Sequence, residues 1–346
     1  MRSTHPTFAP TGCGKNRIRG LSVAVLAGLL LGTALVAASA SAVGPYPSLG
    51  PCPVFPDPPA SLAPRAPSLP NEAAWNQDVS KAPRDPRSNA YIAYIDAHCG
   101  DHLHPDFGSP RPYGFPYSVV GAGQPKLPIH YTAYGEESDP GPFPVPANAP
   151  VEGGNRSDGD RHVLVVDRAG CRLYELYRAF YLAKPRPHWN ADSGTSWDLR
   201  SAARRPDGWT SADAAGLPIF PGLVRYDEVA AGHLDHAIRV TFESTRNAWI
   251  HPASHCAGDS SDPSAPPMGL RLRLKAGYGL GRFRGAARRI ALAMKRYGLI
   301  VADNGSNWFF SGSSDRRWDD EDLDQLKTIP GSALEVVKSA ARPHSC

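Results

Sequence analysis

The 346-residue chain has no GxSxG elbow, no HExxH helix, no Walker loop and no CxxC pair. The first three absences remove the sequence signatures of α/β-hydrolases, zincin proteases and P-loop NTPases. The fourth argues against a zinc ribbon. An excess of one charge sign is also missing. Lys and Arg number 37 against 33 Asp and Glu, but Arg2, Lys15, Arg17 and Arg19 stand in a leading stretch without acids. Setting those four aside leaves 33 against 33. Net charge therefore gives no support for a nucleic-acid surface, and no nucleic-acid partner is expected. Local basic runs such as AARRIALAMKR read as solvated helix faces. Outside the leader there is no long apolar run.

The leader itself follows an export pattern. Its basic start is followed by LSVAVLAGLLLGTALVAA and then ASASA, with small-residue cleavage sites after Ala40 and Ala42. Residues 1–42 are expected to be a signal peptide rather than an uncleaved anchor, which makes the protein secreted and free of the membrane once the leader is removed. Cys13 is lost with the leader. Cys52, Cys99, Cys171, Cys256 and Cys346 remain, and an exported chain is expected to use four of them in two disulfides. Their connectivity is open at this point, as is the fate of the odd cysteine.

Residues 43–72 are dense in Pro, Ser and Ala and are expected to be a linker or a tail laid on the surface. Residues 73–346 are long enough for one domain with a sizeable core. Short Val-, Ile-, Leu- and aromatic-rich runs dominate it, among them RHVLVVD, RLYELY, HAIRVTFES, AWIH and GLRLRLK. VLVVDRAGCRLYEL predicts a hairpin turning at Asp167–Gly170. Two segments predict helices: SNAYIAYIDAH, with Ser88 as cap, and GAARRIALAMKRYG, with Ile290, Leu292, Met294 and Tyr297 near helical spacing. The expected fold is mainly β, a β-sandwich or jelly-roll-like single domain with a few short helices. The Gly-rich turn at 277–284 mimics a dinucleotide-binding crossover. Arg282 or Arg284 stands where the third glycine belongs, so the segment reads as a helix packed beside a sheet.

Chemistry is sought among carboxylates, histidines and tryptophans. Glu175 lies mid-strand in LYELY, where inward burial would raise its pKa toward that of a general acid. Asp198 and Asp213 follow Trp197 and Trp209 closely, and carboxylates beside indoles suit sugar binding and proton transfer. The ADNGSNWFFSG segment offers Asp303, Asn307 and Trp308 to a ligand, or else forms a plain Asn-Gly hairpin. Asp227 and Glu228 are expected to open a short helix ending at Gly232. His102 and His104, as H-x-H, could share one strand face and hold a metal, although no cofactor is expected. GWTSADAAGLPIFPGLVRYDE, residues 208–228, is expected to be a long loop with Asp213 turned inward.

The motifs GWTSADAAGLPIFPGLVRYDEVAAGHLDHAIRV, LHPDFG, DRHVLVVD and LIVADNGSNW together resemble a family of secreted, functionally uncharacterised bacterial proteins. The resemblance implies one exported domain over about residues 75–335 and carries no activity with it. The residues point to a secreted carbohydrate-active enzyme, hydrolysing or eliminating a polysaccharide. Glu175 is the expected acid, Asp198 or Asp213 the base or nucleophile, and Trp197, Trp209 and Trp308 line the cleft. A non-catalytic protein that binds glycan or cell wall is the second expectation. A metal-dependent secreted enzyme using His102 and His104 is the third.

Overall fold

The structure, a computed structural model, describes residues 44–54, 74–98, 100–109, 113–201 and 203–346. The expected leader and Cys99 lie outside the described residues. The described residues belong to one compact unit, which is mainly β, as the short apolar runs require. No helix among the described residues is long and apolar enough to cross a membrane.

The largest sheet has six strands in the order β1 (His104–Asp106), β13 (Phe309–Ser311), β9 (Ile238–Phe242), β12 (Leu299–Asn304), β11 (Arg271–Leu274) and β14 (Leu334–Val336). Strand β9 alternates along Ile-Arg-Val-Thr-Phe. Ile238, Val240 and Phe242 enter one large apolar cluster, and the intervening Arg239 and Thr241 point to the opposite face. Arg271 and Arg273 on β11 are also buried. Arg271 donates to the carbonyls of Ala74 and Gln77, and Arg273 to those of Val79 and Ala82 and to the Glu335 carboxylate. These two side chains therefore hold segment 74–82 against the sheet. Arg271 makes no ion pair among the described residues, and burial lowers its pKa to about 10.

A four-stranded sheet runs β2 (Tyr117–Val120), β4 (Val163–Asp167), β5 (Arg172–Tyr177) and β8 (Ser193–Asp198). The β4–β5 hairpin forms as expected, with Leu164 opposite Glu175. Asp167 closes its turn by accepting the amides of Ala169 and Gly170. A three-stranded sheet contains β3 (Ile129–Tyr131), β7 (His188–Ala191) and β6 (Phe180–Leu182), and β10 (Ala248–Trp249) pairs with β15 (His344–Ser345).

The helices are α1 (Ser88–Asp96), α2 (Tyr226–Ala231), α3 (Gly285–Arg296) and α4 (Asp320–Asp324). Helix α2 opens with Asp227 and Glu228 in its first turn and stops at Gly232, whose φ of 100° suits glycine. Two local expectations need correction. Ser88 lies inside α1 and makes no cap; its hydroxyl accepts the amide of Val336. Leu292 is 47 % exposed, because α3 buries Ala287, Ile290, Ala291 and Met294 instead. Helix α3 packs beside β11, and β11 and β12 are antiparallel, so the unit is no dinucleotide-type crossover. The Asn304–Gly305 turn makes no hairpin either. Strand β9 lies between β12 and β13, parallel to the first and antiparallel to the second.

Residues 208–225 join the apolar clusters. Ala215, Leu217 and Val224 belong to the cluster of the large sheet, and Ile219, Phe220 and Leu223 to that of the four-stranded sheet. The loop thus fills the space between two cores. The N-terminal residues 44–54 lie on the second core, where Tyr46 stacks on Tyr117 at 3.6 Å.

Two disulfides, Cys52–Cys171 and Cys256–Cys346, are formed. The first spans 119 residues of sequence. Removing a cross-link over a loop of that length costs about 2–5 kcal/mol. Cys52→Ser with Cys171→Ser is therefore expected to lower the urea midpoint in proportion, and an unchanged midpoint would show that this cross-link does not stabilise the fold.

Candidate functional site

The loop 208–225 carries several polar groups into its buried position. Asp213 is 1 % exposed, and an unpaired carboxylate there would carry a desolvation penalty of several kcal/mol. Arg239 supplies the partner. Its Nε donates to Asp213 Oδ2 at 2.9 Å and its Nη2 to Asp213 Oδ1 at 2.8 Å, a bidentate clamp. The same Nη2 donates to Asp303 Oδ2 at 2.6 Å, and Nη1 donates to the Ser311 hydroxyl. The guanidinium lies over the Phe115 ring. Burial opposes its charge, but the two carboxylates outweigh that and raise its pKa.

Asp303 reaches Arg239 because of a register shift. Ile300 pairs with Arg239 and Val301 with Val240, but then Asp303 rather than Ala302 pairs with Thr241. The extra residue reverses the alternation. In continuous register Asp303 would fall opposite Phe242, on the apolar face. The bulge places it on the face of Arg239 and leaves the Ala302 carbonyl to accept the amide of Ala215 in the loop. The Asp303 side chain stays 22 % exposed. Burial, with the charge of Asp213 beside it, outweighs Arg239 and pushes its pKa up to about 7.

A second pair, a buried histidine with a partly buried carboxylate, accompanies the first. His162, the residue before β4, donates from Nδ1 to Glu152 Oε2 at 2.5 Å and from Nε2 to the Ala212 carbonyl at 2.9 Å. Both partners are acceptors, so the ring fits the site as an imidazolium. Burial acts against that charge, but Glu152 prevails and raises the His162 pKa to about 9. Glu152 is held below the usual carboxylate range, the His162 charge and hydrogen bonds overriding its burial.

Over these pairs opens a cavity of about 250 Å³, lined by Asp160, Tyr177, Ser193, Ser211, Asp213 and Asp303, with His162, His255 and Asn304 also on its wall. Burial, reinforced by Asp160, pushes the Tyr177 phenol to about 12, and Asp303 adds to the effect. Asp160 itself is exposed at the rim. His255 is oriented by the Ala214 carbonyl at 2.8 Å.

The residues expected from the sequence are only partly gathered here. Asp213 and Asp303 meet on Arg239. Glu175 is 0 % exposed and does not line the cavity. Its Oε1 accepts the amides of Ile219 and Phe220, each at 2.9 Å, and its Oε2 accepts the Trp197 indole N–H at 3.2 Å. Burial raises its pKa to about 7 against these donors. Glu175 thus staples the loop to β5. Asp198 lies three residues along β8 from Thr195, the partner of Glu175, which is about 10 Å. It is bound to Arg200 and stands apart from the cavity.

Trp197 and Trp308 are buried; the Trp308 indole donates to Asp96, and Asn307 spans the Glu243 amide and the Ile95 carbonyl. Trp209 is half-buried beside the Arg205 guanidinium. None of the three indoles lines the cavity. His102 is paired with Asp101, and His104 stacks on Phe309. Among the described residues no group of three or more His, Cys, Asp and Glu is placed to hold a metal.

Arg239, Asp160, Glu152, His162 and Tyr177 were not singled out as functional residues from the sequence. Only His162 left a trace there. A histidine at the head of a buried apolar strand requires two hydrogen-bonding partners. No family model, no curated protein and no solved structure matches this chain.

Two predictions test this network. Truncating one partner of a buried ion pair costs about 3–5 kcal/mol. Asp213→Ala and Arg239→Met are each expected to lose that much in chemical unfolding, and the double variant less than their sum. The second concerns pH. The His162 pKa is raised on folding, so its stabilisation is complete below about pH 6.5 and is lost as pH rises through about 9. The Glu152 pKa is lowered, so its share is lost on acidification. In Glu152→Gln, NMR titration should find His162 neutral at pH 7. An imidazole still protonated at pH 8 would remove Glu152 from this role.

Proposed function

We propose that the protein is a secreted carbohydrate-active enzyme that hydrolyses a glycosidic bond in the Asp160–Asp303 cavity, with Asp303 as general acid. The observation that carries this reading is the unequal treatment of two adjacent carboxylates. Asp213 is sealed and clamped by Arg239, while Asp303, bound to the same guanidinium, remains open to the cavity with a pKa of about 7. A carboxyl whose pKa is raised to near neutrality and that still reaches a cavity suits a general acid. The cavity is of a size for one sugar ring, and the Tyr177 phenol and the Asp160 carboxylate on its wall suit the hydroxyls of a polyol. Export is supported by the leader's sequence and by the two disulfides.

In this mechanism Asp303 gives its proton to the glycosidic oxygen as the C–O bond breaks. Water attacks the anomeric carbon and passes a proton to Asp160, the carboxylate at the rim. Asp213, Arg239, Glu152 and His162 position Asp303 and do not meet substrate chemistry. Glu175 fixes the loop that carries Asp213. A phenol held near 12 stays protonated at neutral pH, so Tyr177 serves as a hydrogen-bond donor. That favours hydrolysis over elimination by a Tyr base.

The test is reducing-end release from a polysaccharide panel by residues 43–346. Removing a general acid typically costs 10²–10⁴-fold, so Asp303→Asn is expected to lose at least about 100-fold in kcat while it still binds the substrate. The acid must be protonated, so kcat of the parent should fall as pH rises through about 7. Full activity in Asp303→Asn refutes the assignment. Glycan binding without turnover by the parent protein refutes catalysis and leaves a binding module.

A further inference from the structure

One basic surface lies apart from the cavity. Lys275, Arg282, Arg284, Arg288, Arg289 and Lys295 follow one another along the loop after β11 and along α3. Some cations elsewhere are ion-paired, among them Arg239 with Asp213, Arg178 with Asp192, Arg205 with Asp139, Arg296 with Asp78 and Arg317 with Asp315, while others, such as Arg156, Arg168 and Arg186, stand singly and scattered along the chain. None of these six makes an ion pair among the described residues. Lys275 donates to the Ser332 carbonyl, Arg282 to the Tyr278 hydroxyl, Arg288 to the Leu280 carbonyl, and Lys295 to the carbonyls of Ala276 and Tyr278. Arg282, Arg284 and Arg288 are exposed, and Arg289 is partly so.

What sets the six apart is that they succeed one another along one loop and one helix. Without the leader the chain holds as many acids as bases, so a block of six unpaired cations leaves its counter-charge elsewhere. Part of it is close by. Helix α4, with Asp319 before it and Asp320, Glu321, Asp322 and Asp324 within it, packs at the start of α3, where Asp322 accepts the Ala286 amide. Those acids repel an anion from that end. They leave the stretch from Arg282 across Arg288 and Arg289 toward Lys295 as its path, with the exposed Leu292 in the middle.

We propose that this face binds an anionic polysaccharide, a chain bearing carboxylate or sulfate groups at each repeat, as an anchoring site separate from the cavity. Charge complementarity selects the occupant, and its shape selects a linear one. The cations follow the axis of a helix about 18 Å long, where a linear polymer can meet several in turn. The apolar stripe of α3 is already spent on the core, and a lone Leu292 does not replace it, so insertion into a lipid surface lacks its apolar face. None of the six residues lines the cavity, whose own acids at Asp160 and Asp303 disfavour an anionic chain. Anchoring polymer and substrate are thus different glycans.

The experiment is binding of residues 43–346 to immobilised polygalacturonate, with neutral amylose and charge-matched duplex DNA as comparisons. Binding is expected to polygalacturonate alone at low salt and to weaken steeply as salt rises. The surface variant Arg282→Gln/Arg288→Gln/Arg289→Gln should bind at least about tenfold more weakly. The control Arg156→Gln/Arg168→Gln/Arg186→Gln, with the same loss of charge elsewhere, should bind as the parent does. Equal losses in both triple variants, or no binding by the parent, overturn the proposal. Equal binding to amylose removes the electrostatic basis, and tighter binding to DNA replaces the polysaccharide by a nucleic acid.

Discussion

The buried guanidinium of Arg239 is the constraint from which the centre of this molecule follows. It sits on the middle of β9 and bonds the loop at Asp213, the end of β12 at Asp303 and β13 at Ser311, with Phe115 against its face. Without carboxylates around it, so large a charge would not remain in the interior. With them, three chain segments distant in sequence are fixed to one point. The loop 208–225 has no regular ladder of its own, and its Gly and Pro residues prevent one. It is held by charge at Asp213 and by the Glu175 carboxylate at Ile219 and Phe220. Its apolar residues then become the filling between two sheets.

The fold was legible in the sequence wherever one physical signal dominated. Alternation located β9 and β11, the Asp167–Gly170 turn located the β4–β5 hairpin, and Asp227, Glu228 and Gly232 bracketed α2. Legibility failed where two elements compete for one segment. Asn304–Gly305 has hairpin chemistry, yet β9 intervenes between β12 and β13, and a local turn signal does not report a long-range strand insertion. Leu292 has an apolar side chain at near-helical spacing, yet the core takes the smaller Ala291 and Ala287. Helix position alone does not say which of two adjacent stripes a sheet will cover.

The site was legible in part, for a different reason. Asp213 and Asp303 were recognisable as polar residues in otherwise apolar contexts. That Arg239 joins them was not, because its place in HAIRVTF is that of any outward strand residue. The bulge at Ala302 is what turns Asp303 toward it, and a one-residue register shift has no composition of its own. The indoles mislead in the opposite sense. Trp197 and Trp308 stand beside Asp, Asn and Ser, which suggests a sugar platform. In the fold their N–H groups are satisfied by Glu175 and Thr195 in one case and by Asp96 in the other. Polar neighbours in sequence served burial rather than binding.

Glu175 and Asp303 show why a raised pKa does not by itself mark a catalytic group. Burial brings both carboxyls to about 7. Glu175 spends its oxygens on two loop amides and an indole, and no path leads from it to the cavity wall. Its proton could move only if the loop came away. Asp303 has one oxygen on Arg239 and the other on the Asn304 amide, but its side chain is partly open and faces a cavity with the Tyr177 phenol on its wall. The same electrostatic cost is a feature of architecture at the first residue and, in the proposed mechanism, of proton transfer at the second. Access decides between them, and access here was created by a single extra residue in β12.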